Sequence, residues 1–436
     1  MRGRGESAEG SRRPAYTRRR ADDPPASAPR RMIVAAKLAI LLGLFLVLLR
    51  RGVDLGVVLL VATLAVEALF PVAPGAFARA VARGATSPAT LNLLGVTFVT
   101  IALGRLLAES GNLRAMTGSL GQLLRDYRLV LAVPPALVGL IPMPAGALVS
   151  APLVNEAAGR KAIPPETRTF INYWFRHVWE YVWPLYPGLL IGSALIGAPV
   201  RAFVLAQYPL TLVAVLVGLV FLHRALPRDR ADEARPRARA GAALLLAASL
   251  WPFVAILVGV LALGLPLLVA LCATTLAVGL AARLGARRLV DAVRRSVAPR
   301  TLLLVLAVMV FKEALAASGA LARVPEALSA AGVPPLVPLF AAPFLVGLLT
   351  GVNQAYVAIT FPMLLPLMGG ATVDMSLVMF AYVSGFLGIL LSPTHLCLSL
   401  TREYFAADFR RVYRLLAVPV ATLFVTAIGL LIARRA

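Results

Sequence analysis

Long apolar runs alternate along the chain with short polar segments rich in arginine. The apolar runs cover 33–49, 54–70, 91–108, 128–158, 169–204 and 207–222, and then 241–262, 265–282, 301–317, 336–368, 376–401 and 413–433. Uncharged runs near ~20 residues have the length needed to cross a hydrocarbon core. The pattern predicts an all-α polytopic membrane protein. Amphipathic, arginine-bearing pieces near 76–84 and 287–297 read as connectors.

The runs repeat on a fixed schedule. LAESGNL at 107–113 returns as LAASGAL at 315–321, and Val138-Gly139-Leu140 as Val346-Gly347-Leu348, both at an offset of 208. Pro152 answers Pro362 at 210, and Pro184 answers Pro393 at 209. The chain therefore divides into two homologous halves, 32–223 and 241–436, joined by a polar linker at 224–240. Each half reads as two spanning helices, an amphipathic connector and a third helix. A Pro/Gly-interrupted stretch, a segment broken at proline and a last helix follow. With the interrupted stretch as a re-entrant hairpin, each half crosses five times and the whole chain about ten. An odd count turns the second half over, the inverted-repeat plan of many secondary transporters. An even count with parallel repeats is the alternative.

Charge bears on orientation. Loops assigned to one face, at 50–54, 109–130, 158–168, 223–240, 283–300 and 402–414, carry 24 Lys and Arg against 6 on the other face with residues 1–31 left out. That asymmetry places the linker in the cytoplasm and the protein in the cytoplasmic (inner) membrane as a multi-pass chain. It also places the N-terminus outside, which the nine arginines of residues 1–31 oppose. Those residues read as a disordered basic tail, or as an upstream extension with Met32 as the working start.

Composition agrees: 60% of residues are hydrophobic, 14% are charged, and the mean hydropathy is +0.84. The net charge of +23 does not indicate nucleic acid, because the arginines fall between apolar runs and no aromatic-interleaved basic domain accompanies them. Cys272 and Cys397 lie far apart in apolar stretches and read as packing residues, with no disulfide framework.

Four matched interruptions carry the candidate chemistry: IPMPAGALVS (141–150), VWPLYPG (182–188), LTGVNQAYVAIT (349–360) and LLSPTHLCLS (391–400). Unwound main chain is costly in lipid and is tolerated where it is buried in protein or lines a wet cavity. Pro142, Pro144, Pro184, Pro187 and Pro393 are read as keeping the half-helices broken. Three of the four tryptophans, Trp174, Trp179 and Trp183, stand beside Arg176, His177 and Glu180. Asn172, Arg176 and Glu180, spaced four apart, are expected on one helix face. The arginine can pair a substrate carboxylate, with Glu180 orienting it. An internal Arg176–Glu180 pair, with the tryptophans as an interfacial belt, is the alternative. Lys312-Glu313 and Arg105/Glu109 read as structural pairs or helix-end charges.

The expected substrate set is Asn172, Arg176, Gly146, Ala147, Ser150, Gly351, Asn353, Gln354 and Thr394. The expected ion-coupling set is Thr350, Thr360, His177, Glu180, Ser392 and His395. No catalytic residue, resident metal or organic cofactor is expected, and H+ or Na+ is the expected coupling ion. An intramembrane metal-dependent enzyme using His177, Glu180 and His395, or an ion channel, is the alternative. HxxE alone is a weak signal, and no HExxH, GxSxG or Walker motif appears.

GLIPMPAGALVSAP (139–152), INYWFRHVWEYVWPLYPG (171–188) and GFLGILLSPTHLCLSLTREYF (385–405) resemble the bacterial and archaeal membrane-protein family known as domain of unknown function 401. The likeness runs from about residue 35 onward. The family is similar to the ion-transporter superfamily of gluconate, citrate and dicarboxylate permeases. That kinship implies inverted repeats, two re-entrant hairpins and cation-coupled uptake of organic anions. The Ser-Asn-Thr hairpin motif of the sodium/dicarboxylate branch is absent; Thr350, Gly351, Val352 and Asn353 stand where it would fall, so sodium and protons both stay open. The expected partners are a small organic anion and the lipid bilayer, not nucleic acid, and a homodimer is compatible with the reading.

Overall fold

A computed structural model describes residues 28–124, 126–142, 146–159, 161–226, 236–283, 285–369 and 372–435. The tail before residue 28, Pro144 and most of the linker lie outside the described residues. Within them the chain is helical, without strands.

Ten helices come before the linker. They are α1 (Ala28–Arg50), α2 (Leu55–Leu69), α3 (Pro74–Thr86), α4 (Pro88–Glu109), α5 (Asn112–Leu123), α6 (Tyr127–Val138), α7 (Ala147–Ala158), α8 (Pro165–His177), α9 (Pro187–Ile196) and α10 (Val200–Ala225). Ten follow it: α11 (Pro236–Leu257), α12 (Leu267–Ala281), α13 (Ala286–Arg295), α14 (Pro299–Ala317), α15 (Val324–Ala330), α16 (Leu336–Thr350), α17 (Asn353–Leu364), α18 (Met375–Leu390), α19 (Leu396–Phe405) and α20 (Phe409–Ala433).

Local chemistry sets the ends. Asp54, Asp126, Asp374 and Asp408 each accept a backbone N–H in the first turn of α2, α6, α18 and α20, and Ser87 does so for α4. Such caps satisfy donors that a helix start leaves unpaired. The prolines inside α6, α7 and α10, among them Pro135, Pro152 and Pro209, are answered by Pro343, Pro362 and Pro419 in α16, α17 and α20.

Packing between the halves is reciprocal. α2 packs on α14 and α12 on α4; α5 packs on α11 and α15 on α1. In the same way α9 packs on α17 and α19 on α7, while α8 packs on α20 and α18 on α10. The halves are therefore interlocked rather than set side by side.

Among the described residues, four segments are long and apolar enough to cross a membrane: Pro74–Glu109, Val200–Ala225, Ala240–Ala262 and Phe409–Ala433. This is a membrane protein with an all-helical fold. Helices α2 and α12 are shorter than their apolar runs suggest. Each has 15 residues, a length of roughly 22 Å at 1.5 Å per residue. Large apolar side chains point outward, as lipid contact requires; Leu244 and Val418 are both more than 70% exposed.

Two helices go beyond the expected pattern. Residues 109–130 and 318–335 read as loops, yet α5 and α15 form there. Glu313, read as part of a structural pair with Lys312, also lies 3.7 Å from Arg83 of α3, between the halves. At the centre, α18 is buried on every side from Ser376 to Leu390, and α8 is buried from Thr169 to His177. α18 is apolar all round, as an interior helix is, whereas α8 carries Asn172, Arg176 and His177 into the same interior, and these two place the site.

Candidate functional site

α8 and α18 each stop abruptly, and their ends define the site. α8 ends at His177; residues 178–186 form irregular turns, and α9 starts at Pro187. α18 ends at Leu390, residues 391–395 are irregular, and His395 precedes α19. The hairpin tips lie between α6 and α7 and between α16 and α17. Gly351 closes α16 at φ +64°, and a Cβ there would crowd His395 N at 2.6 Å, so glycine is required for both conformation and space.

The aromatic side chains of the first break serve its neighbour's backbone. Trp179 Nε1 donates to Ala136 O at 2.8 Å, Trp183 Nε1 to Leu140 O at 2.7 Å, and Tyr186 OH to Gly139 O at 2.6 Å. All three acceptors are carbonyls at the end of α6, which the helix leaves free. Trp174 Nε1 donates to Ala214 O of α10. Trp174 and Trp183 are buried and Trp179 is half-buried, so Trp179 and Trp183 hold main chain at the end of α6 and Trp174 ties α8 to α10 inside the protein, instead of forming an interfacial belt.

The expected helix face for Asn172, Arg176 and Glu180 is incomplete. Glu180 lies past the end of α8, because the chain turns at Val178. Its carboxylate folds back: Oε1 is 3.7 Å from His177 Nε2, and Oε2 accepts from Asn353 Nδ2 at 3.0 Å. Tyr382 OH donates to the Glu180 carbonyl at 3.1 Å. Arg176 is 3% exposed and has Cys397, Tyr186, Glu180 and Tyr173 as ionisable neighbours. Asn172 Nδ2 donates to Ala147 O at 3.2 Å and to Thr401 Oγ1 at 3.0 Å, linking α8 to α7 and α19. Asn172 Oδ1, Asn353 Oδ1 and the Tyr356 hydroxyl are buried without a hydrogen-bond partner.

The second-half residues gather around the Gly351 turn. His395 Nδ1 faces Gly351 O at 2.7 Å, and its Nε2 faces His177 Nε2 at 3.0 Å. Ser392 and Thr394 hydroxyls meet at 2.9 Å, and Thr394 Oγ1 is 3.4 Å from Leu349 O. Thr350 Oγ1 bonds Val346 O. Gln354 is half-buried one residue after Asn353. Gly146, Ala147 and Ser150 are buried at the start of α7. Thr360 stands apart: its hydroxyl bonds Tyr356 O, and it lines an apolar cavity of about 170 Å³ with Leu38 and Met363. Pro142, Pro184, Pro187 and Pro393 all fall in the irregular segments or at a helix start.

Four residues were missed. Cys397, read as packing, has its sulfur close to both site histidines. Tyr173 and Tyr382 bridge the halves, and only their spacing hinted at it. Gln207 on α10 is fully buried with neither amide atom hydrogen-bonded.

The fold and the site define a helical membrane protein whose two halves bring broken helices to a shared polar centre. Residues 34–433 match the family described as Protein of unknown function (DUF401), and the chain belongs to that family. No curated protein matches the sequence.

Proposed function

We propose that the protein is a secondary active transporter that moves a small organic anion together with H+ or Na+ across the cytoplasmic membrane. The reading includes two inverted repeats, 32–223 and 241–436, with about ten crossings. The observation that carries it is the convergence of broken backbone from both halves on buried polar groups. Glu180 in the first-half break bonds Asn353 at the second-half hairpin tip, while His395 in the other break reaches Gly351 of that tip. Paired interruptions of this kind are where inverted-repeat carriers place their solute.

The anion partner is Arg176, one helical turn from Asn172, whose amide contacts Ala147 O in the first turn of α7. A helix N-terminus offers N–H groups and a positive dipole end to an anion. Gly146, Ala147, Ser150, Gly351, Asn353, Gln354 and Thr394 complete the proposed pocket. The unpaired oxygens of Asn172 and Asn353 are acceptors that a solute hydroxyl or a cation can satisfy. The coupling cation is assigned to Glu180 and the Thr350–Asn353 turn. Reciprocal packing of the halves fits a two-fold relation between them, and the cationic bias of one set of loops supports inversion. The sequence resemblance to organic-anion permeases points the same way.

A thermal-shift screen of mono-, di- and tricarboxylates on purified protein, with and without sodium, tests the reading. A subset of acids should raise the melting temperature, and Arg176→Ala should remove that response while keeping a monodisperse, helical protein. If no acid acts, or the variant responds as the native chain does, the assignment fails.

A further inference from the structure

The two site histidines stand in an arrangement that has a second chemical reading beside proton coupling. His177 Nδ1 lies against the Tyr173 carbonyl, and His395 Nδ1 lies 2.7 Å from the Gly351 carbonyl. A carbonyl oxygen only accepts, so both Nδ1 atoms carry the ring proton. Each neutral ring then presents an Nε2 lone pair, and that of His177 is within hydrogen-bond reach of the Cys397 sulfur. These lone pairs face each other at 3.0 Å, which is repulsive unless an electrophile lies between them.

Further donors surround this gap. A nitrogen of each histidine and the Cys397 sulfur all lie within 4.8 Å of one another. Glu180 Oε1 lies 3.7 Å from His177 Nε2. His177, Glu180 and Cys397 are all buried.

We propose that His177, His395 and Cys397 form a binding site for a divalent transition-metal ion of the zinc class, with Glu180 in reach of the fourth position. Imidazole and thiolate together select zinc-like ions over calcium or magnesium. Two nitrogens at about 2.0–2.1 Å from a tetrahedral ion are roughly 3.3 Å apart, so the rings need to separate by only a few tenths of an ångström. Ligating histidines characteristically donate their other N–H to a backbone carbonyl or carboxylate, which fixes the tautomer; both rings already do so. A thiolate and a carboxylate would balance the ion's two charges in a buried setting, where an unpaired charge is costly. The ion would join the end of α8 to the start of α19, one break from each half. The inference does not rest on the carrier reading, and its test measures metal binding alone.

Full-length protein purified in detergent, stripped with chelator and titrated with Co2+ provides the test. The expected result is one cobalt per chain, with the intense ligand-field bands of a tetrahedral site and a sulfur-to-cobalt charge-transfer band. Zn2+ should displace it. Cys397→Ser should lose the charge-transfer band, and the His177→Ala/His395→Ala double variant should fall to background uptake. Wild-type protein that takes up no cobalt, or only weakly absorbing octahedral cobalt, overturns the proposal; a proton shared between the two rings predicts that outcome. A charge-transfer band that survives in Cys397→Ser overturns it as well.

Discussion

Tyr173 and Tyr382 stand 209 positions apart, and each donates its hydroxyl to main chain freed at a break in the opposite half. Tyr173 OH reaches Ile389 O at 3.4 Å and Leu390 O at 3.2 Å, while Tyr382 OH reaches Glu180 O at 3.1 Å. Glu180 and Ile389 are themselves 209 apart. Each half therefore caps the other's broken helix, so the centre depends on both at once.

The capping of α6 gives a first prediction. Trp183→Phe keeps most of the ring but leaves Leu140 O without its 2.7 Å donor. An unsatisfied buried carbonyl costs about 1–3 kcal/mol. Thermal unfolding in detergent should show a loss in that range, whereas replacing the half-buried Trp179 by Phe should cost less.

Close approach of α16 and α18 gives a second. A Cβ on Gly347 would overlap Gly385 O, and one on Gly388 would overlap Phe344 O. Small residues let helix backbones pack this tightly. Gly347→Ala should destabilise by about 1–3 kcal/mol, the usual range for overpacking a tight interior. Gly43→Ala, with open space around the added carbon, serves as the control.

Asp374, at the loop before α18, supplies a pH dependence. Burial raises its carboxyl pKa, but hydrogen bonds from Ser376 and the Arg435 charge outweigh this and hold it below the usual carboxylate range. Its folded pKa is thus depressed, and its contribution is complete above the unfolded value near ~3.9. That contribution is lost as pH falls through the folded value. Asp374→Asn keeps a capping side chain, so the stability gap between native and variant protein should be constant near neutral pH. It should close on acidification below about pH 4.

Inversion of the repeats can be read by labelling. Arg51 follows α1 and Leu263 follows the π-helical turn after α11, at equivalent points of the two halves, and both are exposed. In a Cys272→Ser background, Arg51→Cys and Leu263→Cys should react with a membrane-impermeant thiol reagent from opposite sides. Reaction from the same side would mean parallel repeats.

Much of the fold was legible because apolar length and proline position are local properties. LAESGNL falls at the end of α4 and LAASGAL at the end of α14. α5 was not legible: residues 112–123 hold two glycines and five polar or charged side chains, and the helix packs on the distant α11. The site was legible as a set of breaks but not as a geometry. Nothing near Cys397 marks it as a neighbour of His177, 220 positions earlier. Glu180 sat at helical spacing from Arg176, and only the turn at Val178 takes it off the helix and toward Asn353.

The central claim is that this centre couples an anion to a cation gradient. The most direct measurement is uptake of a labelled organic acid, chosen by its thermal shift, into sealed vesicles holding purified protein under an imposed proton or sodium gradient. The account predicts saturable accumulation above the outside concentration, abolished by Arg176→Ala and collapsed when the gradient is dissipated. Flux that only equilibrates, or a conductance without saturation, would contradict it.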